Sequence, residues 1–180
     1  MPILFFMLAC VDVHYEGSRA TAAAVLFESW TAAEPARDVV HAIEGVAAYE
    51  PGAFFKRELP CVLAALKTAG GASALEAIVI DGYVTLSPTG AAGQPARRGL
   101  GMHLHDAIGR AAMIVGVAKT SFHSATHAIE VFRGQSRQPL YVTAMGMNAK
   151  VAAEHVRTMH GEHRIPTMLK RVARLCRGVG

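Results

Sequence analysis

ILFFMLACVDV, residues 3–13, is apolar at every position but Asp12. A strand with one face in water alternates apolar and polar residues. This stretch does not alternate, so it reads as an interior strand covered on both faces, delivering an aspartate at its far end. Working outward, TAAAVLFESW (residues 21–30) follows the turn-like EGSR and reads as a second strand, and VVHAIEGVAAY (residues 39–49) as a third. The short connection between the first two makes an antiparallel N-terminal meander.

Beyond the meander the pattern changes. Pro51-Gly52 breaks the third strand, and a helix from about Phe54 to Thr68 follows, stopped by Gly70-Gly71. LEAIVID, residues 75–81, is a second unbroken apolar strand ending in Asp81-Gly82. Residues 83–101, with four glycines and two prolines, form a loop of a length that is usually functional or mobile. MHLHDAIGRAA reads as helix, AMIVGVAK as strand, and HAIEVF and QPLYVTAM as two more strands. Asn148 caps a helix running to His160, and Pro166 opens the last one. Strands first, then helix and strand in alternation, predict an α/β fold with a mixed central sheet and flanking helices, one domain over residues 1–180.

The chain has 180 residues, 52% of them hydrophobic, with a mean hydropathy of +0.27, which excludes a disordered chain. Its three cysteines have neither metal-like spacing nor a pairing logic and suggest buried small hydrophobes in a reducing compartment. The N-terminus has no basic region or small-residue cleavage site, and no apolar run reaches the roughly 18 residues needed to span a bilayer; the reading is cytoplasmic. The net charge of +4 is concentrated at the end of the chain. Lys150, Arg157, Arg164, Lys170, Arg171, Arg174 and Arg177 face only Glu154 and Glu162 there. Such an excess suits a polyanion; a solvated helix face has the same composition.

Only four aspartates occur, and two of them, Asp12 and Asp81, close the two most apolar strands. A carboxylate in that position is costly to bury unless something positive meets it. On adjacent strands the pair would reach a shared divalent cation, and Mg²⁺ takes hard oxygen ligands. Glu58, near the start of the helix that crosses the sheet, is the candidate third carboxylate. The competing reading is that strand-end aspartates cap turns. No nucleophile elbow, Cys-x-x-Cys pair, His-Glu-x-x-His, Walker loop or dinucleotide fingerprint is found, and the nine histidines do not cluster.

Taken together, CVDVHYEGSRATAAAVLF, YEPGAFFKRELP, IVIDGY, RRGLG with His105 beyond it, IVGVAK, and PLYVTAMG followed by a helix and RIP resemble the endonuclease V family in order, from Ile3 to about Pro166. The most specific phrase is Tyr49, Pro51, Gly52, Phe55, Arg57, Glu58 and Pro60. The resemblance implies a ribonuclease H-like fold and cleavage of DNA or RNA at the second phosphodiester bond 3′ of inosine, with Mg²⁺ or Mn²⁺. It places Asp12, Glu58 and Asp81 on the metal-binding carboxylates and Lys119 on a lysine beside the scissile phosphate. Tyr49 and the turn Pro51-Gly52 fall on the wedge that enters the helix at the lesion; Arg97, Arg98 and His105 become substrate-binding candidates. Departures accompany the matches. Tyr83 and Val84 replace the His-Gly after Asp81-Gly82, the second histidine of that phrase is missing, and the late catalytic histidine falls near Ala173, with Lys170 and Arg171 the nearest polar groups.

Three readings follow: a divalent-metal endonuclease for inosine-containing or distorted nucleic acid; a nucleic-acid-binding homologue of the same fold that cuts poorly; and a small-molecule hydrolase or interaction protein working through residues 83–101.

Overall fold

The computed structural model describes residues 6–89 and 93–179; Ile3–Phe5 of the quoted strand lie outside them. β1 (Met7–Glu16) and β2 (Arg19–Phe27) form a hairpin in register from Leu8 opposite Phe27 to Glu16 opposite Arg19. β3 (Arg37–Glu44) pairs antiparallel with β2. β4 (Leu75–Asp81) is parallel to β1, and β5 (Met113–Ala118) is parallel to β4. β6 (Ile129–Val131) and β7 (Leu140–Met145) complete a seven-stranded mixed sheet of order β3-β2-β1-β4-β5-β7-β6. The helices are α1 (Phe54–Thr68), α2 (Leu100–Ala107), α3 (Ala149–Thr158) and α4 (Thr167–Cys176).

The unbroken apolar strands have a simple cause. Leu8, Cys10, Ala77 and Val79 face α3 and α4, while their neighbours Ala9, Val11, Ile78 and Ile80 face α1 and α2. All eight are at most 2% exposed, so β1 and β4 have no wet face. Each fully buried Leu, Ile or Val contributes about 1.5–3 kcal/mol.

Asp12 does not close its strand as expected. Parallel pairing between β1 and β4 ends at Val11 opposite Ile80, but β1 continues against β2 for five further residues, Asp12 to Glu16. Asp12 therefore stands where β1 loses one neighbour, next to the end of β4, and that gap admits side chains from other elements.

Residues 83–101 are also more ordered than a free loop. Thr85 bridges Arg98, the Leu86 amide donates to the Arg97 carbonyl (2.7 Å), and the Gly99 amide donates to that of Val84 (2.9 Å). The Val84 amide is held by Thr143 Oγ1 at 2.8 Å. Gly116 makes this crossing possible: a Cβ there would lie 2.6 Å from the Gly82 carbonyl oxygen. Residues 90–92 at the tip lie outside the described residues.

The link from α3 to α4 is fastened by Arg133, only 6% exposed. Its guanidinium donates to the carbonyls of Met159 (2.5 Å), Gly161 (3.0 Å), His163 (3.0 Å) and Arg164 (3.2 Å), and burial lowers its pKa. Arg164 in turn donates to the carbonyls of Lys119 and Pro139. The start of α4 is thereby seated beside the end of β5.

Candidate active site

Alternation along β1 and β4 turns Asp12 and Asp81 toward α4. With Lys119, Leu169 and Val172 they line a void of about 10 Å³, room for roughly one water-sized sphere. Asp12 Oδ1 accepts the Val13 amide (2.9 Å), and the thiol of Cys176 points at Oδ2 from 3.7 Å. Asp81 Oδ2 accepts Lys119 Nζ at 2.5 Å. Both side chains of that ion pair are about a third or more exposed, so it contributes no more than about 1 kcal/mol and is readily exchanged.

Glu58 reaches the same place from α1. It is 7% exposed and has neither a hydrogen-bond donor nor a cation among the described residues. Burial, then the charges of Asp12 and Asp81, pushes its carboxyl up to about 8. Burial and Asp81 also raise the pKa of Asp12, opposed by the Val13 amide, Lys119 and Arg177. Three mutually repelling carboxylates, one of them buried without a partner, make a donor set whose chemistry fits a hard divalent cation. Among the described residues no three His, Cys, Asp or Glu groups are yet gathered closely enough to hold one, and Lys119 lies on Asp81. Loading therefore requires Lys119 to leave Asp81 and the carboxylates to draw inward.

The charges of Lys56-Arg57-Glu58 divide into three roles. Lys56 pairs with Glu50 across the turn (3.1 Å). Arg57 lies 4.0 Å over the Tyr15 ring and donates to the Gly17 carbonyl, which ties α1 to the β1–β2 turn. Glu58 alone turns inward. Before them Gly52 adopts φ +78°, which favours glycine, and Tyr49 stands 61% exposed with Phe54 tilted against it at 6.3 Å.

Between this turn and residues 83–99 lies a cavity of about 320 Å³. Glu58 and Asp81 close one side of it, and Phe54, Phe55, Tyr83 and Phe122 supply aromatic wall. Arg97 also lines it, 5.8 Å from the Phe122 ring, with no carboxylate partner among the described residues. Arg98 lines it too but is tied to Asp106 and the Met102 carbonyl.

Other candidates are placed elsewhere. His105 lines a cleft with Phe6, Glu76 and Arg110 at the start of β4, the end opposite Asp81, because α2 runs back along the sheet from the residue 84–99 ladder. The histidine near the wedge helix is His103, stacked on Phe55 at 3.7 Å between centroids. Arg171, expected near the site, instead makes a two-pronged pair with Asp38 (2.5–3.0 Å). The α4 residue that reaches Asp12 is Cys176, three positions beyond Ala173. Its thiol, pushed up to about 12 by burial and then by Asp12, was unremarked by sequence reasoning. The available signal was the face Leu169, Val172, Cys176, but helical spacing marks a buried face without saying what it is buried against. Phe122 was missed for a similar reason, lying in an irregular segment without periodicity.

A family model for endonuclease V matches residues 5–165. The chain belongs to the endonuclease V family. Among solved structures it resembles endonuclease V from Streptomyces avermitilis at 25% identity and a TM-score of 0.71, covering 96% of this chain and 80% of that one. Human ENDOV shares 19% identity with a TM-score of 0.71, over 97% and 84% of the two chains. Ciona intestinalis endonuclease V, solved with a DNA containing an inosine followed by a ribo-adenosine, shares 16% identity with a TM-score of 0.75, over 96% and 84%. Among curated protein sequences none matches. The fold is the ribonuclease H-like fold of endonuclease V. No helix among the described residues is long and apolar enough to cross a membrane.

Proposed function

We propose that this endonuclease V family member is a divalent-cation-dependent endonuclease acting on inosine-containing or otherwise distorted nucleic acid. The observation that carries the reading is the joining of two features in one place: Asp12, Asp81 and buried Glu58, and directly beside them an aromatic-walled cavity under the Tyr49 turn. The Ciona relative bound to inosine-containing DNA supports the substrate class.

Each residue has a task. Tyr49 is free to stack on a base at an opened step, and a mismatched or inosine-bearing pair is the least costly to open. The cavity receives the displaced base against Phe54, Phe55, Tyr83 and Phe122, with Arg97 available to a flanking phosphate. Asp12, Glu58 and Asp81 are the residues that would hold Mg²⁺ or Mn²⁺, which when bound supplies Lewis acidity and an activated water at the phosphate. Glu58 holds a proton on its carboxyl at neutral pH until a cation replaces it. Lys119, its carbonyl fixed by Arg164, carries its ammonium from Asp81 to a non-bridging phosphate oxygen, where it offsets charge developing in the transition state. With Tyr83 in the place of the family's histidine, no imidazole stands ready to assist proton transfer there, so turnover is slow.

A cleavage and binding assay tests this. Single- and double-stranded DNA and RNA, with and without inosine, are incubated with Mg²⁺ or Mn²⁺ in parallel. Cutting of the inosine strands that is lost in Asp81→Asn supports the reading. Binding without cutting at any metal concentration replaces it with a non-cleaving homologue. Absence of nucleic-acid binding returns the cavity to a small-molecule role.

A further inference from the structure

The last helix brings a soft ligand to a site otherwise made of hard ones. Cys176 is 2% exposed, ends α4, and aims its thiol at Asp12 Oδ2 from 3.7 Å. Two residues of the same helical face, Leu169 and Val172, line the single-sphere void that Asp12, Asp81 and Lys119 border. The helix is not free to drift, because Arg133 fastens the segment leading into it and Arg164 ties that segment to the Lys119 carbonyl. A second observation points independently to an ion here. Glu58, nine-tenths buried and without a hydrogen bond or ion pair among the described residues, lies in the electrostatic reach of Asp12 and Asp81 and faces the same centre.

We propose that Cys176 is a sulfur ligand of this chain's metal centre and shifts its cation preference from Mg²⁺ toward thiophilic divalent ions. The inference rests on the cation-dependent reading above. Carboxylate oxygens alone suit Mg²⁺, Ca²⁺ and Mn²⁺, whereas a thiolate adds affinity for softer ions and little for Mg²⁺. On coordination the Sγ–H proton is released to solvent as the sulfur–metal bond forms, with no change of oxidation state. A cysteine at this point of α4 gives a centre in which three oxygens position the ion and one sulfur selects it.

Cadmium is the probe, since a thiolate bound to Cd²⁺ gives a charge-transfer absorption in the ultraviolet that oxygen ligands do not. The full chain, freshly reduced and free of metal, is titrated with Cd²⁺, Mn²⁺ and Mg²⁺ by absorption and by calorimetry. The expected result is one equivalent of Cd²⁺ with the charge-transfer band. The band survives in Cys10→Ser and Cys61→Ser and disappears in Cys176→Ser, with Cd²⁺ affinity lowered by about tenfold or more and Mn²⁺ affinity nearly unchanged. Cys176→Asp, which restores an oxygen donor, reverses the preference toward Mg²⁺ and Mn²⁺ and keeps the test open if the serine variant folds poorly. Cd²⁺ bound in a manner that depends on Asp12 and Glu58 but without the band overturns the sulfur ligand and leaves the cation site standing. A band that persists in Cys176→Ser also overturns it. Failure of all three ions to bind overturns the ligand and the cation-dependent reading together.

Discussion

Glu58→Gln should make the metal-free protein more stable while removing its response to metal. Burial and the two aspartates raise the Glu58 pKa from 4.5 to about 8, so the folded state holds the proton more tightly than the unfolded chain does. Below pH 4.5 both states are protonated and the group has no effect. As pH rises from 4.5 to 8 the unfolded chain ionises and the folded one resists, costing about 1.4 kcal/mol per unit. The cost is on the order of 3 kcal/mol at pH 7 and levels off above pH 8. Glutamine carries no charge to bury, and for a chain of this size each kcal/mol moves Tm by about 2–4 °C. The variant should therefore melt roughly 5–10 °C above wild type at pH 7 in chelator, with the gain shrinking to nothing near pH 4.5. Circular dichroism melts from pH 4.5 to 8.5 measure it. Adding Mn²⁺ should raise the wild-type Tm, since an ion at 100 times its Kd contributes about 2.7 kcal/mol, and leave the variant almost unmoved. A variant less stable than wild type at pH 7, or a gain independent of pH, would refute the claim that Glu58 is a buried carboxylate waiting for a cation.

Tyr49→Ala should leave Tm within about 1 °C, the ring being 61% exposed, and weaken binding to inosine-containing strands roughly tenfold, in keeping with about 1–3 kcal/mol per stacked base. A sharp fall in Tm with unaltered affinity would make the ring a packing residue. Arg97→Ala should reduce the slope of log affinity against log salt by about 1, as loss of one phosphate contact requires, while Arg98→Ala changes it less because Arg98 is already paired with Asp106; equal slopes for both would contradict the assignment. Arg133→Met, which strips the carbonyls around residues 159–164 of their donor, should lower stability by at least about 3 kcal/mol in denaturant melts and reduce cleavage with it, through the seating of α4.

Much of the fold was legible along the chain because its signals are local. Unbroken apolar runs marked β1 and β4 as interior strands, the Pro51-Gly52 break marked the entry to α1, and Asn148, whose side chain accepts the Lys150 amide at 2.8 Å, marked the start of α3. Asp12, Glu58 and Asp81 could be singled out in the same way, as acids set among residues that exclude water. The tertiary structure decided everything that depends on which surfaces meet. Sheet order and register bring Asp12 to Asp81, and α1 alone determines that Lys56 and Arg57 turn outward while Glu58 turns in. The length of α2 carries His105 away from the site and leaves His103 against Phe55. Cys176, separated from Asp12 by most of the chain, meets it only because Arg133 and Arg164 hold the approach to α4 in place. Periodicity reports that a side chain is buried; what it is buried against is set by long-range packing, which no local pattern contains.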